Sequence, residues 1–212
     1  MQMILIPALI TLAITLLRLV GELQRWSETY FNRTAGGGGA LIGISWLIPV
    51  FGIYFAVKLA RNGEGPSSVW KGVGFALLAV IVNTGVFLGA RAIHLAPNLI
   101  FPLFALTCLV STAIAYVGWP ALGRTLLLYA LAARIPVAIV MLLAIMGNWG
   151  THYDVLPPDP AFAAMLGPLG PIQRWVWIGL VPQLTIWIFL TVVGGLLVGT
   201  IAAAFVGGRR SA

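Results

Sequence analysis

Long uninterrupted apolar runs decide what this chain can become. "MILIPALITLAITLL" (3–17) opens the first of six such segments, at about 3–20, 40–59, 70–93, 98–118, 121–146 and 175–206. A run of roughly 20 apolar residues is the helix length that crosses about 30 Å of hydrocarbon. In lipid every backbone N–H and C=O must be paired internally, which leaves helices or closed barrels. Barrel strands would alternate over about ten residues, whereas these runs are continuous and rich in Leu, Ala, Ile and Val. Only 8% of the residues are charged, too few to clothe a water-facing globule, which carries about 25%. The expected fold is an all-α polytopic membrane protein: a compact bundle of six transmembrane helices in a single integral membrane domain spanning 1–212.

The breaks between segments carry the residues that end helices. "TAGGGGA" (34–40), "RNGEGPSS" (61–68), "LAPN" (95–98) and "GWPALG" (118–123) hold Gly and Pro, which continue a helix only at a cost. The first segment lacks a basic leader and a small-x-small cleavage site, so it reads as a retained helix rather than a signal peptide. The loop 147–173 is longer than the others. Within it, "DPAFAAMLG" (159–167) places Asp at an N-cap, Pro at the first helical position and Gly past the end, which predicts a short interfacial helix. The last segment is longer than a bilayer requires and contains Pro182. Trp175 and Trp177 are expected near the headgroups as anchors, with the span proper starting at about 182.

The charges sort the function classes. A net charge of +7 could suggest nucleic acid, but the basic residues are scattered through short loops, so contact with anionic lipid is expected and nucleic acid is not. Lys58, Arg61, Lys71, Arg124, Arg209 and Arg210 fall on one side of a six-span topology, and Arg18, Arg25, Arg33, Arg91 and Arg174 on the other. This small excess puts both termini in the cytoplasm of a bacterial-type inner or plasma membrane. By parity, Glu22, Glu28, His94, His152, Asp154 and Asp159 share one face, and Glu64 alone occupies the other. The acid–base chemistry open to this chain is therefore concentrated on one side. Cys108 is the sole cysteine, which excludes an intrachain disulfide.

Arg134 falls near the middle of the fifth segment, where a charge costs about 2.5–3.5 kcal/mol on insertion scales. Ala130, Ala133 and Ala138 give that helix a thin face, and Pro136 frees the Ala132 carbonyl as an acceptor for the arginine. Asn83 and Gln183 are the other polar groups at depth and are its candidate partners; the three together are the expected ligand-binding residues. About 13 residues further on, roughly 20 Å along a helix, "GNWGTHYD" (147–154) gathers Asn148, Trp149, His152, Tyr153 and Asp154 at the membrane surface. There His152 can titrate near neutral pH, with Asp154 to orient it and Glu22 or His94 to assist. His152, Asp154 and Glu22 are the catalytic candidates. Arginine and surface cluster can cooperate only as floor and mouth of one cavity.

Other features are weaker. Gly85 with Gly89, and Gly195 with Gly199, form GxxxG pairs suited to close helix packing or to a homo-oligomer. "GGGG" (36–39) lacks the Lys-Ser or Lys-Thr of a phosphate loop, and "NRT" (32–34) matches a glycosylation sequon in a short loop. No HExxH or CxxC occurs, there is no retinal-type lysine, no pair of intramembrane aspartates and no rhomboid Gly-x-Ser, and no metal or cofactor is expected. Three functions remain: binding or translocation of a small anionic or lipid-like ligand around Arg134, a membrane-embedded enzyme using His152 and Asp154, or an accessory subunit of a membrane complex.

Overall fold

The computed structural model describes residues 2–35 and 40–207, so the glycine run and Arg209 and Arg210 lie outside the described residues. All regular structure among the described residues is helical. It comprises α1 (Gln2–Leu23), α2 (Leu47–Arg61), α3 (Val69–Ala92), α4 (Pro97–Tyr116), α5 (Pro120–Gly147), α6 (Pro160–Leu166), α7 (Pro171–Trp175), a π-helical turn (Val176–Leu180), α8 (Val181–Leu184) and α9 (Ile186–Gly207). Five stretches are long and apolar enough to cross a membrane: α1, α3, α4, α5 and the composite Pro171–Val206.

The second segment departs from the expected helix over 40–59. Residues 40–46 form bends and turns, and α2 starts only at Leu47. Pro49 accounts for this. It has no N–H to bond residue 45, so it is tolerated only in a first helical turn, and the helix begins two residues before it. The last segment is not continuous either. Pro182 lacks its N–H and crowds the carbonyl of Ile178, and the chain relieves this through the π-helical turn that precedes it. A second break follows at Thr185 (φ −123°, ψ −71°), whose hydroxyl donates to the Val181 carbonyl at 2.7 Å.

The core between α2, α5 and α9 is apolar, whereas α1 is inside out relative to a helix of a soluble bundle. On α1 the buried stripe is Thr11, Thr15, Arg18 and Glu22, while Leu5, Ile6, Leu9, Leu16 and Leu17 are exposed. Hydroxyl groups are satisfied locally, Thr11 to the Pro7 carbonyl and Thr15 to the Thr11 carbonyl. Helix α9 is the central post and packs against α2, α3, α4 and α5. Its approach to α2 depends on glycine: a Cβ on Gly52 would lie 2.7 Å from Gly195 Cα, and one on Gly199 would lie 2.7 Å from the Gly52 carbonyl oxygen. The Gly195/Gly199 pair is therefore spent inside the bundle. Gly85 and Gly89 face open space, with nothing near a notional Cβ.

The two ends of the bundle are tied by different loops. Trp119 donates its indole N–H to the Glu64 carbonyl at 2.9 Å, which joins the α2–α3 and α4–α5 connections. At the other end the loop after α5 closes onto the end of α1, where Glu22 accepts from the His152 backbone N–H. Helix α6 forms as the sequence predicts: the Asp159 side chain caps Phe162 N–H at 2.8 Å, and Pro160 takes the first position. Leu166 is fully buried against Ile145 and Ile178, so α6 is held to the bundle.

Candidate functional site

Arg134 and the surface cluster are joined by one cavity of about 300 Å³. It lies between α1, α5 and the broken last helix, with the turns at 43–45 and the loop 152–158 closing its sides. Arg134, Gln183 and Trp187 line it at depth, and Arg18, His152 and Tyr153 line it nearer the end of the bundle.

Arg134 is 3% exposed. Its guanidinium carbon sits 4.5 Å from the centroid of the Trp187 ring, a cation–π contact. Its Nε is buried with no hydrogen-bond partner, and no hydrogen bond reaches the guanidinium from the described residues. The Ala132 carbonyl, expected as an acceptor, takes no bond from it. Gln183 has a comparable deficit. Its Nε2 meets only the Met141 sulfur at 3.5 Å, and its Oε1 is buried with no partner. A buried donor and a buried acceptor thus line the same cavity without meeting each other.

Nearer the end of the bundle the polar groups are tied to one another around Glu22. Glu22, with a side chain 0% exposed, accepts from Arg18 Nε at 2.8 Å and from the His152 backbone N–H at 2.8 Å. His152 Nδ1 lies 2.5 Å from Glu22 Oε1. Arg18 also donates to the Asn32 carbonyl at 2.9 Å. Burial lowers the His152 pKa below its ordinary 6.5, and the hydrogen bond to Glu22 opposes this only in part. In the neutral ring the Nδ1 proton goes to Glu22, which leaves the Nε2 lone pair unused by the described residues. The His152 and Tyr153 rings lie 3.8 Å apart between centroids, and Tyr153 donates its hydroxyl to the Thr15 carbonyl at 3.3 Å. Burial pushes the Tyr153 phenol up, so it remains a neutral donor.

Several expected site residues sit elsewhere. Asn83 pairs with Cys108 across α3 and α4 at 3.7 Å and does not reach Arg134, because α3 packs on α4 and α9. Asp154 does not orient His152. Its carboxylate accepts from Gly150 N–H, Thr151 N–H and the Thr151 hydroxyl at 2.7–2.8 Å, the nearest donors in its own turn. Asn148 is the left-handed C-cap of α5, and Trp149 lies over Gly147. His94 lines a separate groove with Arg91 and Asp159. Trp175 and Trp177, expected as interfacial anchors, are half-buried: Trp175 donates to the Ala138 carbonyl at 2.8 Å, and Trp177 packs on Phe101.

Trp187 and the 43–45 turn line the cavity without having been singled out in the sequence. Nothing local marks them, since the contacts that define them come from segments far apart in the chain. Composition and fold define a helical membrane protein with a mostly apolar cavity that Arg134 and Gln183 line. No protein-family model matches the chain, and no curated protein or solved structure is significantly similar to it.

Proposed function

We propose that this protein binds a small anionic, lipid-like ligand in the cavity around Arg134. The observation that carries the reading is that Arg134, with its Nε unpartnered, and Gln183, with its Oε1 unpartnered, line one cavity. A buried polar atom without a partner costs about 1–3 kcal/mol, and a charged one more. An anionic head offers the guanidinium a two-oxygen acceptor, and a neighbouring hydroxyl on the ligand would satisfy Gln183. Val137, Ile178 and Trp187 supply apolar walls for a chain. On α5, the turn before Arg134 carries Tyr129, which packs with Phe51 and Phe55 in a closed aromatic layer. That layer favours a binding site over an open channel, and translocation would require it to move.

In this reading the chain crosses the membrane six times and both termini lie on the cytoplasmic side. The six-span part is supported by the 43–45 turn before α2, which lines the cavity with Arg134, and by the Trp119–Glu64 contact just after α2. With Gly195 and Gly199 consumed internally, a homo-oligomer would use the open Gly85/Gly89 face.

The test is calorimetric titration of the full chain in phosphatidylcholine nanodiscs with decanesulfonate, a single-chain amphiphile that stays anionic at every working pH. Arg134→Ala is expected to weaken binding by about 10–100-fold, the value of a charge-assisted hydrogen bond, and Arg134→Lys to lose less. Equal affinities for wild type and a folded Arg134→Ala would overturn the reading. A second reading, an enzyme acting at the lipid surface, is favoured by the carboxylate-bound His152 with Nε2 unused. It requires turnover of a fatty-acyl ester that His152→Gln abolishes, whereas the binding reading expects no turnover.

A further inference from the structure

We infer that the cavity takes up a proton at His152 Nε2 together with its anion. The inference rests on the anionic-ligand reading above and adds a second, titrating component to that site.

His152 is fixed through both its backbone N–H and its Nδ1 to the two oxygens of one buried carboxylate, Glu22. Its ring is stacked on Tyr153 and forms part of the cavity wall. Nε2 is bonded to no described residue. A proton arriving there leaves a solvent hydronium, whose O–H bond breaks as the Nε2–H bond forms, and the Nδ1–H still donates to Glu22.

The charges around the ring determine when that proton can arrive. From α1 it faces Glu22 and Arg18, which are paired with each other at 2.8 Å. In its own loop it is flanked by Tyr153, a neutral phenol, and by Asp154, whose carboxylate is tied to Gly150 and Thr151. From α5, Arg134 lines the same cavity with no ion pair among the described residues. A positive charge on His152 therefore meets the repulsion of Arg18 and the desolvation of a buried ring, in a cavity that Arg134 also lines. An anion reverses the balance. It neutralises Arg134 and offers Nε2–H an acceptor, so the imidazolium would be held between Glu22 and the ligand. Because linkage is reciprocal, the factor by which the anion favours the proton is the factor by which the proton tightens the anion. Anion and proton bind as a pair, the stoichiometry expected of a proton-coupled binding or transport cycle.

The experiment uses the same nanodisc titration with decanesulfonate, repeated in two buffers that differ in ionisation enthalpy. The difference in apparent binding heat counts the protons taken up per ligand. Wild type is expected to take up a measurable fraction of one proton between about pH 5 and 8, where a histidine titrates. Its affinity should rise as pH falls, by at most about tenfold per pH unit for a single linked proton. His152→Gln should take up none and lose the pH dependence. If His152→Gln does not fold, Glu22→Gln gives the second reading: the imidazolium loses its carboxylate, so proton uptake must drop. Binding with no proton uptake at any pH, or uptake unchanged in the His152 or Glu22 variant, overturns the coupling and leaves the anion site standing. Equal binding by wild type and Arg134→Ala overturns the anion site instead, and the coupling with it.

Discussion

Glu22 shows how a single side chain can be half legible. Its i,i+4 partnership with Arg18 follows from spacing alone, and the pair forms at 2.8 Å. Its bond to His152 joins residues 130 positions apart, and no local pattern announces it. The sequence offers Asp154 as the nearer acid, but a carboxylate in a tight turn is claimed by the turn's own N–H groups, as happens here. The consequence for stability has a definite sign. Burial lowers the His152 pKa in the folded protein, so on acidification the unfolded chain, titrating near 6.5, takes the proton first. The His152 contribution is fully present above that value and is lost as pH falls toward the lowered, folded one. Thermal unfolding of the detergent-solubilised protein should therefore shift to lower temperature as pH drops from about 7.5 to 5. His152→Gln should flatten the slope; an equally steep slope would remove the assignment.

At the scale of elements, local signals succeeded where the chemistry is local. The Asp159–Pro160 start of α6 was readable because a cap needs only its own first turn. Pro49 and Pro182 were visible as residues, yet their effects depend on whether the helix can absorb a missing N–H. At Pro49 the helix starts late, and at Pro182 it widens into a π-helical turn that lies beside Gln183. The two GxxxG pairs were indistinguishable in sequence and are opposite in structure. Gly52→Ala places a Cβ 2.7 Å from Gly195 Cα; such overpacking costs about 1–3 kcal/mol. Gly85→Ala meets nothing within 4 Å and gains helix propensity of up to about 1 kcal/mol. Melting temperatures in one detergent should fall for the first and hold or rise for the second. The reverse order would mean that α2 and α9 do not pack as described.

At the scale of the whole molecule, the crossing number sets which groups can meet. Parity from six segments placed Glu22 and His152 on one face, and they are in contact. Labelling tests that topology directly. Cys108, 0% exposed, should stay silent to a membrane-impermeant maleimide. With Glu28→Cys, Asp159→Cys and Gly63→Cys introduced one at a time, the first two should react from one side of sealed vesicles and the third from the other. Gly63→Cys labelling from the same side as Glu28→Cys would mean that 40–61 does not cross.

The sequence by itself determined the helical membrane class, most helix boundaries and the cost of a charge at Arg134. These depend on transfer free energy, chain rise and capping, all of which act within a few turns of one segment. Only the tertiary structure decided that Arg134 keeps an unpartnered Nε, that Gln183 rather than Asn83 shares its cavity, and that Glu22 rather than Asp154 holds His152. Those outcomes depend on which helix faces are brought together. Facing is set by packing among segments far apart in the chain, with glycines at Gly52, Gly195 and Gly199 and prolines at Pro49 and Pro182 fixing how closely and at what angle they meet.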